Sequence, residues 1–124
     1  MTYYILVKTL LNSRTAHLID DAECRPFQWA VELIGKRWNS GILLALSQGA
    51  TRFSEIVARV DGLSDRMLSQ RAKELEAAGL IARHVVATTP VQIRYELTAR
   101  GDDLLVSLQP VLEWEQRWRD TPAS

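Results

Sequence analysis

The chain has 124 residues, the size of one domain, and this length can bury a core without disulfides or a structural metal. Lysine and arginine total 15, as do aspartate and glutamate, so the net charge is zero and the globally basic composition of a histone-like DNA binder is excluded. The single cysteine, Cys24, excludes an internal disulfide and a cysteine-based metal cage, and it favours a reducing, cytoplasmic compartment.

Residues 1–22 are predicted to be an extension of the domain that packs on a partner subunit or stays frayed. Tyr3 to Val7 has the composition of a strand. The run YYILVKTLL is too short for a membrane span, contains Lys8, and lacks the basic start and the cleavage site of a signal peptide. We therefore expect no membrane association, and we expect the domain proper to occupy residues 23–120.

Two helices are predicted before residue 50. Pro26 suits the first turn of a helix with an apolar face. The next helix is expected to run from about residue 36 to residue 47, with Trp38 on its inward side. A short strand over residues 51–53 is expected to follow, and then a helix capped by Ser54.

The following helix carries the clearest pattern in the chain. It comes after a tight Asp61-Gly62-Leu63-Ser64 turn, and Ser64 is its expected N-cap. Leu68, Ala72 and Leu75 fall at positions i, i+4 and i+7, so they form one buried stripe. The opposite side then carries Arg66, Ser69, Gln70 and Lys73.

Two strands are predicted next, from Ile81 to Val86 and from Ile93 to Leu97, with a polar loop between them. Thr98 caps a final helix that is expected to be interrupted or kinked near Pro110. Helix, turn, helix and β-hairpin in this order is the layout of a winged helix-turn-helix, which places one helix in a DNA groove. The expected fold class is α+β, mainly α.

A helix in the major groove reads base edges through polar or forked side chains near its N-terminal half. Glutamine pairs with adenine and arginine with guanine, and each good pair discriminates by roughly 1–3 kcal/mol. Arg66, Ser69 and Gln70 suit this role. Arg71 and Lys73 are expected to hold phosphates, because they lie nearer the middle of the helix.

Other functions stay open at this point. A polar helix face is also typical of any solvated amphipathic helix, and a winged helix can serve as a protein-interaction module without binding DNA. Cys24 with a remote His84 is the only nucleophile and base combination, so we expect no enzyme. His17 and His84 lack a second ligand at metal spacing, so we expect no metal and no cofactor. The four tryptophans favour core or interface positions over a ligand pocket.

Four segments resemble the HxlR-type branch of winged-helix bacterial transcription regulators: VELIGKRWNSGILLAL, GATRFSEI, LSDRMLSQRAKELEAAGLIARHV and IRYELTARG. The likeness runs from about Cys24 to Leu112 in order and without gaps. It implies a homodimer on an imperfect inverted repeat of double-stranded DNA, with two recognition helices about 34 Å apart. It also implies dimer contacts from the first and the C-terminal helices, here Phe27, Trp29, Leu108, Leu112 and Trp114.

The chain departs from this family at two places. Gly35-Lys36-Arg37-Trp38 stands where paired glycines usually precede the Lys-Trp pair. The wing position that usually carries an arginine is Gln92, and the next basic residue, Arg94, shares its strand face by alternation. With these two, the candidate DNA-binding residues are Arg52, Ser54, Ser64, Arg66, Ser69, Gln70, Arg71, Lys73, Gln92 and Arg94.

Cys24 stands where the family commonly has a cysteine, through which several members sense oxidants or quinones by disulfide formation between subunits or by alkylation. Arg25 and the following helix N-terminus favour the thiolate that this chemistry requires, whereas the acidic residues just before Cys24 oppose it. The resemblance therefore implies an oxidant or small-molecule effector. An inert, half-buried thiol is the alternative.

Overall fold

A computed structural model describes residues 21–123 of the chain. The chain divides into two compact units, Met1–Lys36 and Arg37–Ser124. The expectations for residues 1–20, including the strand-like run from Tyr3 to Val7, concern a segment outside the described residues. The boundary of the domain proper at residue 23 stays a prediction.

The described part of the first unit is a 3-10 turn, Asp21–Glu23, followed by helix α1, Cys24–Gly35. The helix begins two residues before Pro26, so the proline occupies the first turn, where a backbone N–H has no acceptor within the helix. None of the α1 residues is buried. Its apolar side chains include Phe27, which is 49% exposed, and Trp29, which is 59% exposed.

The second unit has the predicted order of helices and strands. In chain order these are α2 (Asn39–Ser47), α3 (Phe53–Arg59), α4 (Asp65–Ala77), β1 (Ile81–Val86), β2 (Gln92–Leu97) and α5 (Ala99–Trp118). The two strands pair antiparallel, with Ile81 opposite Leu97 and Val86 opposite Gln92. This is a winged helix-turn-helix, and it confirms the α+β, mainly α, fold class.

The core of the second unit fixes the orientation of α4. Leu68, Ala72 and Leu75 are at most 2% exposed, which confirms the predicted stripe, and Ile42 and Leu43 of α2 are equally buried. Burying a leucine or isoleucine side chain stabilises the fold by about 1.5–3 kcal/mol. A rotation of α4 that brought its polar face inward would lose several such contributions, so the opposite side of the helix is held toward solvent.

The start of α2 differs from the sequence-based prediction. The helix begins at Asn39 and not near residue 36, because Trp38 has a left-handed backbone with φ of 81°, which a right-handed helix cannot contain. The Trp38 ring lies against the turn before α4: a Cβ added at Gly62 would stand 3.0 Å from Trp38 Cη2. Gly62 itself has φ of 82°, so glycine suits both its backbone and this close approach.

The start of α3 also differs. The predicted strand over residues 51–53 is reduced to a single bridge between Arg52 and Arg94, because α3 already begins at Phe53. Ser54 therefore lies inside the helix and is not its cap. Arg52 is the N-cap residue, and its backbone N–H donates a 2.9 Å hydrogen bond to Oε1 of Glu55, which lowers the pKa of that carboxyl.

Helix α5 closes the fold. The Thr98 side chain caps it as predicted, since its Oγ1 accepts a 3.1 Å hydrogen bond from the Gly101 N–H. The expected interruption at Pro110 is wrong, because one helix continues through the proline to Trp118, and the alternative of a kink there stays a prediction. Within the described residues, no helix has the length and apolar character that a membrane span requires.

Candidate nucleic-acid interface

Both ends of α4 are set by local contacts. At the start, Oγ of Ser64 accepts a 3.1 Å hydrogen bond from the Met67 N–H, which confirms the predicted cap. At the other end, Gly79 takes a left-handed φ of 77° just past the last helical residue, as helix-terminating glycines do. The cap fixes where the helix begins, and hence which side chains stand in its first two turns.

The side of α4 away from the buried stripe carries Arg66, Ser69, Gln70 and Lys73, and all four are exposed. Arg66, Gln70 and Lys73 are separated by four and three residues, so they form one row along the helix. Among the described residues, none of these four side chains has a hydrogen-bond or ion-pair partner. The row therefore presents donors and acceptors that a ligand can use.

Arg71 is not brought together with that row. Its Nε donates to the backbone oxygen of Arg37 at 3.1 Å, and its Nη1 lies 3.2 Å from Oε1 of Glu74. The side chain is only 13% exposed. The guanidinium of Arg37 lies 4.3 Å from the centre of the Trp38 ring. These contacts tie α4 to the segment before α2, and the expected phosphate contact of Arg71 stays a prediction.

The two wing candidates lie on the strand and not at the tip of the hairpin. Gln92 and Arg94 share a face of β2, and Nη2 of Arg94 lies 3.5 Å from Oε1 of Gln92, a long hydrogen bond. Arg94 is also bridged to Arg52, which places both beside the N-terminus of α3. The tip, residues 87–91, carries no charged side chain. Of the remaining candidates, Ser54 in the first turn of α3 and the cap residue Ser64 are exposed.

A groove of about 450 Å³ separates α4 from the hairpin. Its lining residues come from α3, α4, β1 and β2 and are Phe53, Ser69, Lys73, Glu76, Arg83, Ile93 and Tyr95. Arg83 pairs with Tyr95 across the ladder, so both side chains stand on the sheet face that borders the groove. Sequence reasoning missed Arg83 as a site residue. Strand alternation was the available signal, since Arg83 stands two residues after the buried Ile81.

The remaining candidates are surface residues of the monomer. Cys24 is exposed as the first residue of α1, so the alternative of a half-buried thiol does not describe it. On α5, Leu112 is 45% and Trp114 55% exposed, whereas Leu108 is half-buried. Among the described residues no group of three or more histidine, cysteine, aspartate or glutamate side chains could hold a metal ion, and His17 lies outside that part of the chain.

A family of known proteins matches this chain over most of its length. Residues 33–122 match the HxlR-like helix-turn-helix family. YvaP of Bacillus subtilis (strain 168), named an uncharacterized HTH-type transcriptional regulator, is 43% identical over 97 residues, which cover 78% of this chain and 90% of YvaP.

Solved structures agree with this match. Diamide-treated YodB from B. subtilis is similar with a TM-score of 0.69 and 34% identity, and the match covers 82% of this chain and 97% of YodB. Quinone-bound YodB from B. subtilis is similar with a TM-score of 0.60 and 36% identity, and this match covers 80% of this chain and 100% of YodB. The redox regulator HypR in its reduced form is similar with a TM-score of 0.69 and 29% identity, covering 77% of this chain and 94% of HypR. The fold, the exposed row on α4 and these matches lead to one conclusion: the chain belongs to the HxlR-like helix-turn-helix family of transcriptional regulators.

Proposed function

We propose that this regulator binds a pseudo-palindromic operator in a sequence-specific manner as a homodimer, with α4 in the major groove. The observation that carries the proposal is the row of Arg66, Gln70 and Lys73 on a helix whose other face is buried. These three side chains are exposed and have no hydrogen-bond or ion-pair partner within residues 21–123. Two copies related by a twofold axis would place their α4 helices in successive major grooves, about 34 Å apart.

Exposed apolar side chains support the homodimer. On α5, Val111 is 56%, Leu112 45% and Trp114 55% exposed, and on α1 Phe27 and Trp29 are about half exposed. Groups of exposed large apolar residues mark interaction surfaces in soluble proteins. A second copy of the chain would remove these side chains from water on both subunits, because a twofold interface uses the same surface on each.

Base reading and phosphate binding predict different behaviour for two neighbours on α4. Gln70→Ala should weaken binding to the operator by about ten- to a hundredfold and leave a shuffled duplex unaffected, because a bidentate pair with adenine is lost. Lys73→Ala should weaken both duplexes alike and lower the slope of log affinity against log salt by about one, because one phosphate contact is lost.

Fluorescence anisotropy across a salt series would measure both effects, with a labelled duplex from the region upstream of the gene and a shuffled control. Gln116→Ala, an exposed glutamine in the last turn of α5, is the matched control and should bind like the wild type. If both α4 variants weakened the two duplexes by the same factor, the assignment of base reading to Gln70 would be wrong. If the wild type bound neither duplex, a protein-interaction module would replace the proposed function.

We also propose that Cys24 makes DNA binding responsive to oxidants or quinones. The thiol is exposed at the first position of α1, and the similar protein YodB has been solved in diamide-treated and quinone-bound forms. Diamide would accept two electrons and two protons from two thiols to give a disulfide. Because each chain has one cysteine, a disulfide between protein chains must join Cys24 of two subunits. With a quinone, the thiolate would instead add to a ring carbon, and uptake of one proton would give a hydroquinone joined to Cys24 by a thioether.

Cys24→Ser should remove this response without changing the affinity of the reduced protein for the operator. Wild-type protein treated with diamide should run as a covalent dimer on a non-reducing gel and lose most of its operator binding, and dithiothreitol should restore both. Intact-mass measurement after quinone treatment should show one adduct per wild-type chain and none on Cys24→Ser. Wild-type protein that stayed unmodified under both treatments would leave Cys24 without a sensing role.

A further inference from the structure

The groove between α4 and the hairpin brings two cations together from different elements. Lys73 is on α4 and Arg83 is on β1, and both line the groove. Both side chains are exposed, and among the described residues neither has a hydrogen-bond or ion-pair partner. Like charges that border one groove repel each other, and an anion bound between them adds two attractions that outweigh this repulsion.

The rest of the lining suits a sugar-phosphate chain. Phe53, Ile93 and Tyr95 supply apolar wall, and Ser69 supplies a hydroxyl on the α4 side. A DNA strand alternates an anionic phosphate with a deoxyribose whose carbon face is apolar. Side chains of lysine, arginine, serine and tyrosine are common partners of phosphate and sugar in protein–DNA complexes. The chemistry of the groove therefore matches a nucleic-acid backbone.

We propose that this groove holds the DNA backbone, with Lys73 and Arg83 binding one phosphate from its two sides. The inference rests on the proposed function, because it requires α4 to enter the major groove. The proposal gives the hairpin a charged phosphate contact through Arg83, whereas the tip of the hairpin, residues 87–91, has no charged side chain for such a contact. The backbone contact of the hairpin thus comes from the groove side of β1, while Gln92 and Arg94 stand on the other face of the sheet.

Because Glu76 is acidic, the proposal predicts opposite effects on DNA affinity for substitutions at Arg83 and at Glu76. Glu76 lines the same groove one turn after Lys73, and its carboxylate repels a phosphate bound there. Arg83→Ala should weaken operator and shuffled duplexes by the same factor, about fivefold, and should lower the salt slope by about one. Glu76→Gln should tighten both duplexes by about twofold, because it removes the repulsion and keeps the shape of the side chain.

A double-mutant cycle tests whether the two cations share a phosphate. If they do, the combined loss in Arg83→Ala with Lys73→Ala should differ from the product of the separate losses, whereas independent contacts should multiply. Arg83→Lys should keep most of the salt slope, since it keeps the charge. Arg117→Ala, which removes the same charge from the last turn of α5, is the matched control and should keep the wild-type slope.

The measurement is anisotropy on the full-length dimer across a salt series, with circular dichroism to show that each variant is folded. Weaker binding by Arg83→Ala together with tighter binding by Glu76→Gln would support the groove contact. Wild-type affinity and slope in both variants, with Lys73→Ala still impaired, would overturn it and leave the proposed function standing. Absence of operator preference in the wild type would instead overturn the proposed function.

Discussion

Gly101→Ala is expected to lower the free energy of unfolding by about 3 kcal/mol or more, although alanine normally favours a helix over glycine by about 1 kcal/mol. Gly101 is buried in the first turn of α5, and a Cβ there would stand 2.1 Å from the carbonyl oxygen of Leu80 and 3.0 Å from Cδ2 of Leu97. The Leu80 carbonyl accepts a 3.0 Å hydrogen bond from the Thr98 N–H, so moving it away from the new Cβ would weaken that bond.

Urea unfolding followed by circular dichroism, at one fixed protein concentration, would measure this effect. Gly35→Ala is the matched control, since a Cβ at the end of α1 would meet no atom within 4 Å. That variant should be as stable as the wild type or slightly more stable. Equal stability of the two variants would show that α5 can shift away from Leu80, and the packing argument for Gly101 would fail.

Arg71→Ala is expected to lower the free energy of unfolding by about 2 kcal/mol, because it removes charged hydrogen bonds to the Arg37 carbonyl and to Glu74 from a side chain that is 13% exposed. Arg71→Lys should recover only part of this loss, since an ammonium cannot reproduce the planar geometry of the guanidinium. The operator preference of the folded fraction should stay at the wild-type value. Gln70→Ala, one residue away, should show the reverse: wild-type stability and a lost operator preference.

Parallel urea unfolding and anisotropy on the two variants would separate these roles. The ratio of operator to shuffled affinity reports base reading, and the unfolding midpoint reports the tie between α4 and the segment before α2. A stable Arg71→Ala protein that bound both duplexes as weakly as Lys73→Ala would show that Arg71 is a phosphate ligand after all. That result would return it to the role that its place in the sequence suggested.

The sequence by itself determined the features that depend on residues a few positions apart. The stripe of Leu68, Ala72 and Leu75 follows from helix periodicity, and the Ser64 cap depends on a bond to the residue three positions later. The strands follow from their composition and the loop between them. These are local interactions, so the order of elements and the polar row on α4 could be predicted before any packing was known.

Only the tertiary structure decided which polar residues are available for binding. Arg71 donates a hydrogen bond to the carbonyl of Arg37, 34 residues earlier, and the sequence around neither residue predicts this contact. Lys73 and Arg83 border one groove because the hairpin folds back beside α4. Gly101 packs against the carbonyl group of Leu80, which precedes the hairpin in the chain, whereas Gly101 follows it. Such pairings are set by how the buried faces of α2, α4 and the sheet fit together, and no local pattern encodes that fit.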